Sequence, residues 1–278
     1  IWKVVVVGER VVTCGTDGSF KVWEQEGWTC VETVAAGQGP LRAMTECGGM
    51  LVTGGEDGSI KLWEQQGTWT CVRTLEGHTS VMWDLVVHGE WLLSGSGDNT
   101  VRVCDRTSWE CLRVVQTGHT GGVLSLMVHD GKLYCGGAYR DTTIRVIDTT
   151  TWASVGVMEG HTSTVYQLLV REGKLFSCSS DNTIKRWSTR EGRACEQTLE
   201  GHTSAVLSMA VLGDKLLTGS LDDTVRVWGM ARDAGAWRCE RVLRDHTSAL
   251  RVMAVTRDGR RVLSCDGEGN MLVWEEAP

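Results

Sequence analysis

Proline occurs only twice in the 278 residues, phenylalanine twice and tyrosine three times. So little proline excludes proline-rich linkers between domains. No apolar run approaches the roughly 20 residues that a membrane-crossing helix needs. Residues Ile1 to Val7 have neither the basic lead nor the cleavage-like site of a signal peptide. Cysteine is plentiful, with eleven residues, but no CxxC pair and no zinc-type Cys/His spacing occurs. Scattered cysteines of odd number predict reduced thiols, buried as small hydrophobes, in a cytoplasmic or nuclear protein. A formal net charge of −7 argues against a general affinity for nucleic acid. The expected partners therefore include neither membrane nor DNA or RNA, and no motif calls for a cofactor or a metal.

Tryptophan, by contrast, is abundant, with 13 residues, and abundance of one aromatic points to reuse in a repeated unit. A phrase recurs at Gly77-His78-Thr79-Ser80, Gly160-His161-Thr162-Ser163 and Gly201-His202-Thr203-Ser204. Variants stand at Gly118-His119-Thr120 and Asp245-His246-Thr247-Ser248. A second phrase, apolar-Ser/Thr followed by small residues and Asp, ends at Asp17, Asp57, Asp98, Asp141, Asp181 and Asp222, with Glu268 in the last unit. Successive spacings are 40, 41, 43, 40, 41 and 46 residues, the period of a four-stranded repeat. Seven units fill the chain as one domain, with boundaries near 1–36, 37–77, 78–118, 119–160, 161–201, 202–245 and 246–278.

Each unit reads as strands, lettered a to d. In the fifth, Val165 to Val170 is an apolar run, Glu172-Gly173 a tight turn and Lys174 to Ser177 a second run. After the Ser180-Asp181-Asn182 turn, Thr183 to Trp187 alternates with period two. Cys111 to Val115 is a fourth run in the third unit. No helical periodicity appears.

At these residues the sequence resembles the WD40 repeat family over its full length. The resemblance implies an all-β, seven-bladed propeller with one four-stranded antiparallel sheet per blade. It also implies a hydrogen-bonded tetrad that joins the d–a loop His, a strand-b Ser/Thr, the b–c turn Asp and a strand-c Trp. The fifth unit has His161, Ser177, Asp181 and Trp187; the sixth has His202, Thr218, Asp222 and Trp228. The third has His78, Ser94 and Asp98, with Cys104 in the tryptophan's place. The fourth has His119 and Asp141 but Cys135 and Ile147, and two extra residues around Ala138 to Arg140. The first and second keep Thr13, Asp17, Trp23 and Thr53, Asp57, Trp63, yet Gly37 stands where the second histidine belongs and the first unit has none. The seventh has His246, Ser264 and Trp274, with Glu268 for the aspartate. The chain opens on a strand a and stops just after the seventh strand c. The seventh blade should therefore lack its outer strand, as in a piece cut from a longer protein.

Several constellations invite a catalytic reading. His161 with Asp181 and Ser177 imitates a nucleophilic triad, but its recurrence at His202, Asp222 and Thr218 marks a structural device. His88 and His129 have no clustered partners for a metal. Gly95-Ser96-Gly97 ends a strand with no helix after it, so it is no phosphate loop. Asp84 and Gln167 are the polar exceptions among strand-a residues, and a lone acid does not make a paired-carboxylate site. The recurrent Trp28, Trp69, Trp109, Trp152 and Trp237 at the start of strand d suggest packing between outer strands or against the next blade. The chain is therefore expected not to be an enzyme.

Binding is expected on the face that carries the d–a and b–c connections, which the resemblance implies is the one most used for partners. The residue after the apolar start of strand a lies near it: Trp2, Arg42, Trp83, Leu124, Tyr166, Leu207 and Arg251. Five of these seven are Trp, Tyr or Arg, the types enriched at binding hot spots; the b–c turns add Arg140, Glu56 and Leu221. The expected function is a non-catalytic platform for protein or peptide partners, the recognition module of a larger protein or complex. The alternative is a ubiquitin-ligase substrate receptor in which arginines with Trp2 read acidic or phosphorylated peptides.

Overall fold

Short alternating runs separated by turns form 27 strands and no helix among residues 1–190, 192–231 and 235–275, which the computed structural model describes. They assemble in chain order into seven sheets. The first is β1 (Lys3–Val7), β2 (Arg10–Cys14), β3 (Ser19–Glu24) and β4 (Cys30–Ala35). The second is β5 (Leu41–Cys47), β6 (Met50–Gly55), β7 (Ile60–Gln66) and β8 (Thr68–Leu75). The third is β9 (Met82–His88), β10 (Trp91–Ser96), β11 (Thr100–Asp105) and β12 (Cys111–Gln116). The fourth is β13 (Val123–His129), β14 (Lys132–Gly137), β15 (Ile144–Asp148) and β16 (Ser154–Met158). The fifth is β17 (Val165–Arg171), β18 (Lys174–Ser179), β19 (Ile184–Ser188) and β20 (Cys195–Leu199). The sixth is β21 (Val206–Leu212), β22 (Lys215–Ser220), β23 (Val225–Met230) and β24 (Trp237–Leu243). The seventh has three strands among the described residues, β25 (Leu250–Val255), β26 (Arg261–Asp266) and β27 (Met271–Glu275).

Turn chemistry sets the meander. Glu172 and Gly173 both have positive φ, 50° and 69°, the pair of left-handed residues that a two-residue type I′ hairpin needs. Glycine takes the second position because it bears no Cβ penalty there. Burial then grades across each sheet. Strand b is buried almost end to end, as in β10, β18 and β22. Strand d is an edge and largely exposed, as in β4 and β12.

The contacts divide the chain into two compact units, residues 1–135 with 147–154, and residues 136–146 with 155–278. In the first unit, Val12, Phe20, Leu41, Met44, Trp63 and Trp69 form one core where the first two sheets pack. Leu62, Met82, Leu92 and Cys104 form the next, and Leu93, Val101, Val123 and Leu126 a third. In the second unit, Phe176, Val206, Met209 and Trp228 join the fifth and sixth sheets, and Leu217, Leu250 and Met253 the sixth and seventh. Each core thus lies between sequential sheets.

The recurrent tryptophans stand near the start of strand d: Trp28, Trp109 and Trp152 in the c–d turns with φ of 53°, 61° and 60°, Trp69 in β8 and Trp237 in β24. Their packing corrects one expectation, because it runs backwards. Trp69 meets Phe20 edge-on at 6.1 Å, Trp152 meets Trp91 at 5.2 Å and Trp237 meets Phe176 at 5.5 Å. Each of these three rings therefore covers the preceding sheet. The cysteines depart from expectation too. All are free, but Cys30, Cys71, Cys111 and Cys195 are exposed and Cys239 is half-buried, since each lies on a strand d.

Phe20 is fully buried, with Trp63 at 5.1 Å and Trp69 at 6.1 Å, both edge-on. Phe20→Ala should cost about 3–5 kcal/mol in urea unfolding, by lost transfer energy plus a cavity. A loss under about 1 kcal/mol would show that the first two sheets contribute little to global stability.

Candidate functional site

Two arrangements follow from the repeat, one internal and one at the surface. The internal one closes the d–a loop onto the b–c turn. In the fifth sheet, His161 Nδ1 lies 2.7 Å from Asp181 Oδ2 and His161 Nε2 lies 2.7 Å from Ser177 Oγ. Trp187 Nε1–H donates to the same hydroxyl at 2.8 Å. In the sixth, His202 lies 2.8 Å from Asp222 and 2.7 Å from Thr218 Oγ1, which accepts from Trp228 Nε1–H at 2.9 Å. In the third, His78 lies 2.7 Å from Asp98 and 2.9 Å from Ser94. One assignment of protons satisfies every group: Nδ1–H donates to the carboxylate, the hydroxyl donates to Nε2, and the indole donates to the hydroxyl. The aspartate also caps its own turn, accepting from Thr183 N–H in the fifth sheet and Thr224 N–H in the sixth, at 3.0 and 3.1 Å.

The other sheets solve the same problem with different groups. Sequence reasoning placed Gly37 at the second histidine position, but Gln38 does the histidine's work. It is buried, accepts from Thr53 Oγ1–H at 2.6 Å and donates to Ser59 O at 2.8 Å, while Trp63 Nε1–H donates to Thr53. A carboxamide carries a donor and an acceptor at about the reach of an imidazole, so composition rather than motif was the signal. In the seventh sheet Glu268 does not replace the aspartate. His246 Nδ1 lies 3.3 Å from Asp266, two residues after Ser264, and Asn270 Nδ2–H donates to that carboxylate at 2.9 Å. In the fourth, His119 Nε2 lies 3.0 Å from the Cys135 carbonyl. A carbonyl only accepts, so His119 carries a proton on Nε2, unlike His161.

These groups are structural in geometry. Ser177 and Thr218 are fully buried, as no nucleophile that must meet substrate can be. Asp84 is engaged as well: Lys3 Nζ lies 2.8 Å from one oxygen and Leu126 N–H donates to the other at 2.9 Å. Gln167 likewise clasps β21, accepting from Met209 N–H at 2.6 Å and donating to Met209 O at 3.2 Å. Among the described residues no group of three or more His, Cys, Asp or Glu is placed to hold a metal ion.

The surface arrangement comes from β-bulges. Arg42, Trp83, Tyr166, Leu207 and Arg251 are each the residue skipped where the a–b register shifts. A bulge leaves one residue unpaired and re-aims its side chain. Alternation alone gives no hint of this, because an extra residue simply looks like a break in the pattern. In the first unit three of the named residues come together. The Arg42 guanidinium lies over the Trp2 ring at 4.7 Å and over the Trp83 ring at 5.0 Å. Arg42 makes no hydrogen bond or ion pair among the described residues, and its Nε is buried. In the second unit Tyr166 and Arg251 are half-buried and Arg140 is exposed beside Tyr139, whose carbonyl accepts from Thr164 Oγ1–H at 2.9 Å. Arg140 and Arg251 belong to the second unit.

The family model described as "WD domain, G-beta repeat" matches residues 28–64, 69–105, 109–148, 152–188, 193–229 and 237–275. The chain belongs to the WD40 repeat family. Five of the six matched WD40 segments begin at the c–d tryptophans, so the family repeat runs d-a-b-c and straddles two sheets. Among solved structures the chain is similar to the WD40 beta propeller domain of Doa1, at 23% identity and TM-score 0.83, covering 100% of this chain and 93% of that one. It is also similar to the computationally designed Ika8 protein, at 26% identity and TM-score 0.78, covering 99% and 83%. No curated protein sequence matches it. The fold is a seven-bladed WD40 β-propeller whose seventh blade has three strands among the described residues.

Burial, the leading cause, holds His78 and His202 below the ordinary imidazole value of 6.5, against the opposing pull of Asp98 and Asp222. Burial pushes Asp222 up, but hydrogen bonds from Thr224, the Thr203 N–H and His202 outweigh it and bring the carboxyl from 3.8 down to about 2. Both effects have one sign. An imidazole with a lowered folded value takes up more protons unfolded, and so does such a carboxyl, so stability rises with pH. It should therefore decline as pH falls below about 6.5 for the histidines, and again below about 3.8 for the aspartates. Urea midpoints measured across that range check this; a midpoint that stays level from pH 7 to 5 would show that the histidines do not resist protonation. Gln38→Ala should cost about 1–3 kcal/mol by stranding buried groups, with no change in the pH profile.

Proposed function

We propose that this WD40 propeller is a non-catalytic interaction platform that binds a partner peptide or protein at the Trp2–Arg42–Trp83 stack. WD40 propellers generally bind protein partners, and the buried hydroxyls and tied acids described above offer no reacting group. The observation that carries the reading is the flanked guanidinium. A cation between indoles gains about 0.5–2 kcal/mol per ring face, which fixes its position without neutralising its charge. With Nε buried and no internal partner, its remaining N–H groups are left for a ligand. Carboxylate and phosphate match a guanidinium in bidentate fashion. The finer reading is therefore a receptor for acidic or phosphorylated peptides, serving as the recognition module of a larger complex.

The test is a peptide array of acidic, phosphorylated, neutral and basic sequences, probed with the wild type and with Arg42→Ala, Arg42→Lys and Arg251→Ala. Arg42→Ala should weaken capture of acidic or phosphorylated peptides by at least about tenfold, the cost of one charge-assisted contact. Arg42→Lys should also lose affinity, because an ammonium has no fork. Capture of such peptides that survives Arg42→Ala would end the acidic-ligand reading. No capture of any class would place the partner surface elsewhere on the propeller.

A further inference from the structure

Five of the six described strands d carry a cysteine, β16 being the exception, and across the c–d ladder each faces the position of the repeat's tryptophan. The pairs are Trp23 with Cys30, Trp63 with Cys71, Trp187 with Cys195 and Trp228 with Cys239. The third blade has Cys104 where the tryptophan stands elsewhere, so there the pair is Cys104 with Cys111. Two thiols then lie opposite each other on antiparallel strands. In a regular ladder such partners have Cα atoms about 4.5–5.5 Å apart, inside the range of about 4.4–6.8 Å that a disulfide spans; here the register shifts between Val103 and Cys104, beside the pair.

The lost indole also opens space. A pocket of about 230 Å³ is lined by Cys104 and Cys111 together with His78, Arg102, Trp109 and Ile60. Cys104 is 4% exposed, whereas Cys111 is exposed. Arg102 Nη1–H donates to Cys111 Sγ at 3.8 Å. That places a positive charge where sulfur gains negative charge during thiol exchange. Burial first, and the neighbouring Cys111 second, push the Cys104 thiol up to about 12, which makes Cys111 the entry point.

We propose that Cys104 and Cys111 form a redox-active dithiol, a modification site that disulfide oxidants of the glutathione class convert to a cross-strand disulfide. The Cys111 thiolate attacks one sulfur of oxidised glutathione, forming a mixed disulfide and expelling one glutathione thiolate. Cys104 gives up its proton and attacks Cys111 Sγ, expelling the second. Two protein thiols and one oxidised glutathione become one protein disulfide and two glutathione thiols, a transfer of two electrons and two protons. The sixth blade supplies an internal control. Cys239 also accepts from an arginine, Arg226 Nη1–H at 3.6 Å, but faces Trp228. It has the entry step and no resolving thiol.

Native protein equilibrated in oxidised and reduced glutathione, then alkylated and cut with trypsin, reads the site directly. Cleavage after Arg102, Arg106 and Arg113 puts Cys104 in peptide 103–106 and Cys111 in peptide 107–113. The expected product is these two peptides joined, two hydrogens lighter than their sum, and separated again by dithiothreitol. It should exceed glutathionylated Cys111 at least about tenfold, while Cys239 stops at the glutathione adduct. Cys104→Trp, which restores the residue of the other blades, should leave Cys111 as the glutathione adduct. Cys104→Ser gives the same readout if the larger side chain fails to fold. The proposal is overturned if wild-type Cys111 carries glutathione while Cys104 remains free to alkylate. A joined peptide that forms only in urea overturns it equally.

Discussion

The buried imidazole between a carboxylate and a hydroxyl is the constraint on which the third, fifth, sixth and seventh blades depend. A four-stranded meander closes its own backbone ladder, but nothing in the ladder fixes where the d–a loop lies. The histidine does so by joining that loop to strand b and to the b–c turn at once, and an unpaired buried imidazole would cost more than it contributes. Every group in the chain of donors is used in the fifth and sixth blades, down to the indole N–H on the shared hydroxyl. Charge-assisted hydrogen bonds in a poorly solvated site are the strong kind. They also tie the site to pH, since both partners are held on the side of the proton equilibrium that acid reverses.

Holding the loop sets the start of strand a, and the start of strand a sets the surface. In five blades the register slips by one residue there, and the residue freed by the slip is left out of the a–b pairing. Scaffold and binding surface are thus separated by a single residue. Leu41 and Ala43, on either side of Arg42, are fully buried. Substitution at the bulge position therefore changes the surface with little demand on the core, which lets one architecture present Trp, Arg, Tyr or Leu at the same place.

Repeat number, strand order and the three-stranded seventh blade were legible in the sequence because a period near 41 residues and a repeated turn phrase leave few alternatives. Two of the misses share a physical origin. Gln38 and Asp266 fill roles that motif reading gave to Gly37 and Glu268, because reading by position assumes fixed loop lengths whereas hydrogen bonding asks only for a donor or acceptor within reach. The exposure of the strand-d cysteines was missed for another reason. Residue type suggests burial, but an edge strand offers one buried face at most. The Trp2–Arg42–Trp83 stack could be named as three residues but not as a stack. Arg42 and Trp83 stand at bulges, and a bulge leaves no mark in an alternating pattern.

Repetition makes departures informative in a way that a single-copy fold does not allow. Where seven blades face the same packing problem, the residue that differs shows what the position tolerates and what the change releases. Replacing Trp by Ile147 in the fourth blade keeps an apolar filler and is absorbed by the core. Replacing it by Cys104 in the third leaves Ser94 without an indole donor, opens about 230 Å³ beside it and sets one thiol against another. The first substitution keeps a buried apolar side chain, and with Cys135 in place of the strand-b hydroxyl no acceptor awaits an indole donor. The second conserves neither volume nor chemistry, and a small, poorly filling residue opposite an existing cysteine adds a reactivity that none of the Trp–Cys pairs possesses. Stability argues against such a gap, which at about 24 cal/mol per Å³ of cavity is a real cost for whatever part of it solvent does not fill. The third blade therefore carries the one change in the repeat whose consequence is chemical rather than structural.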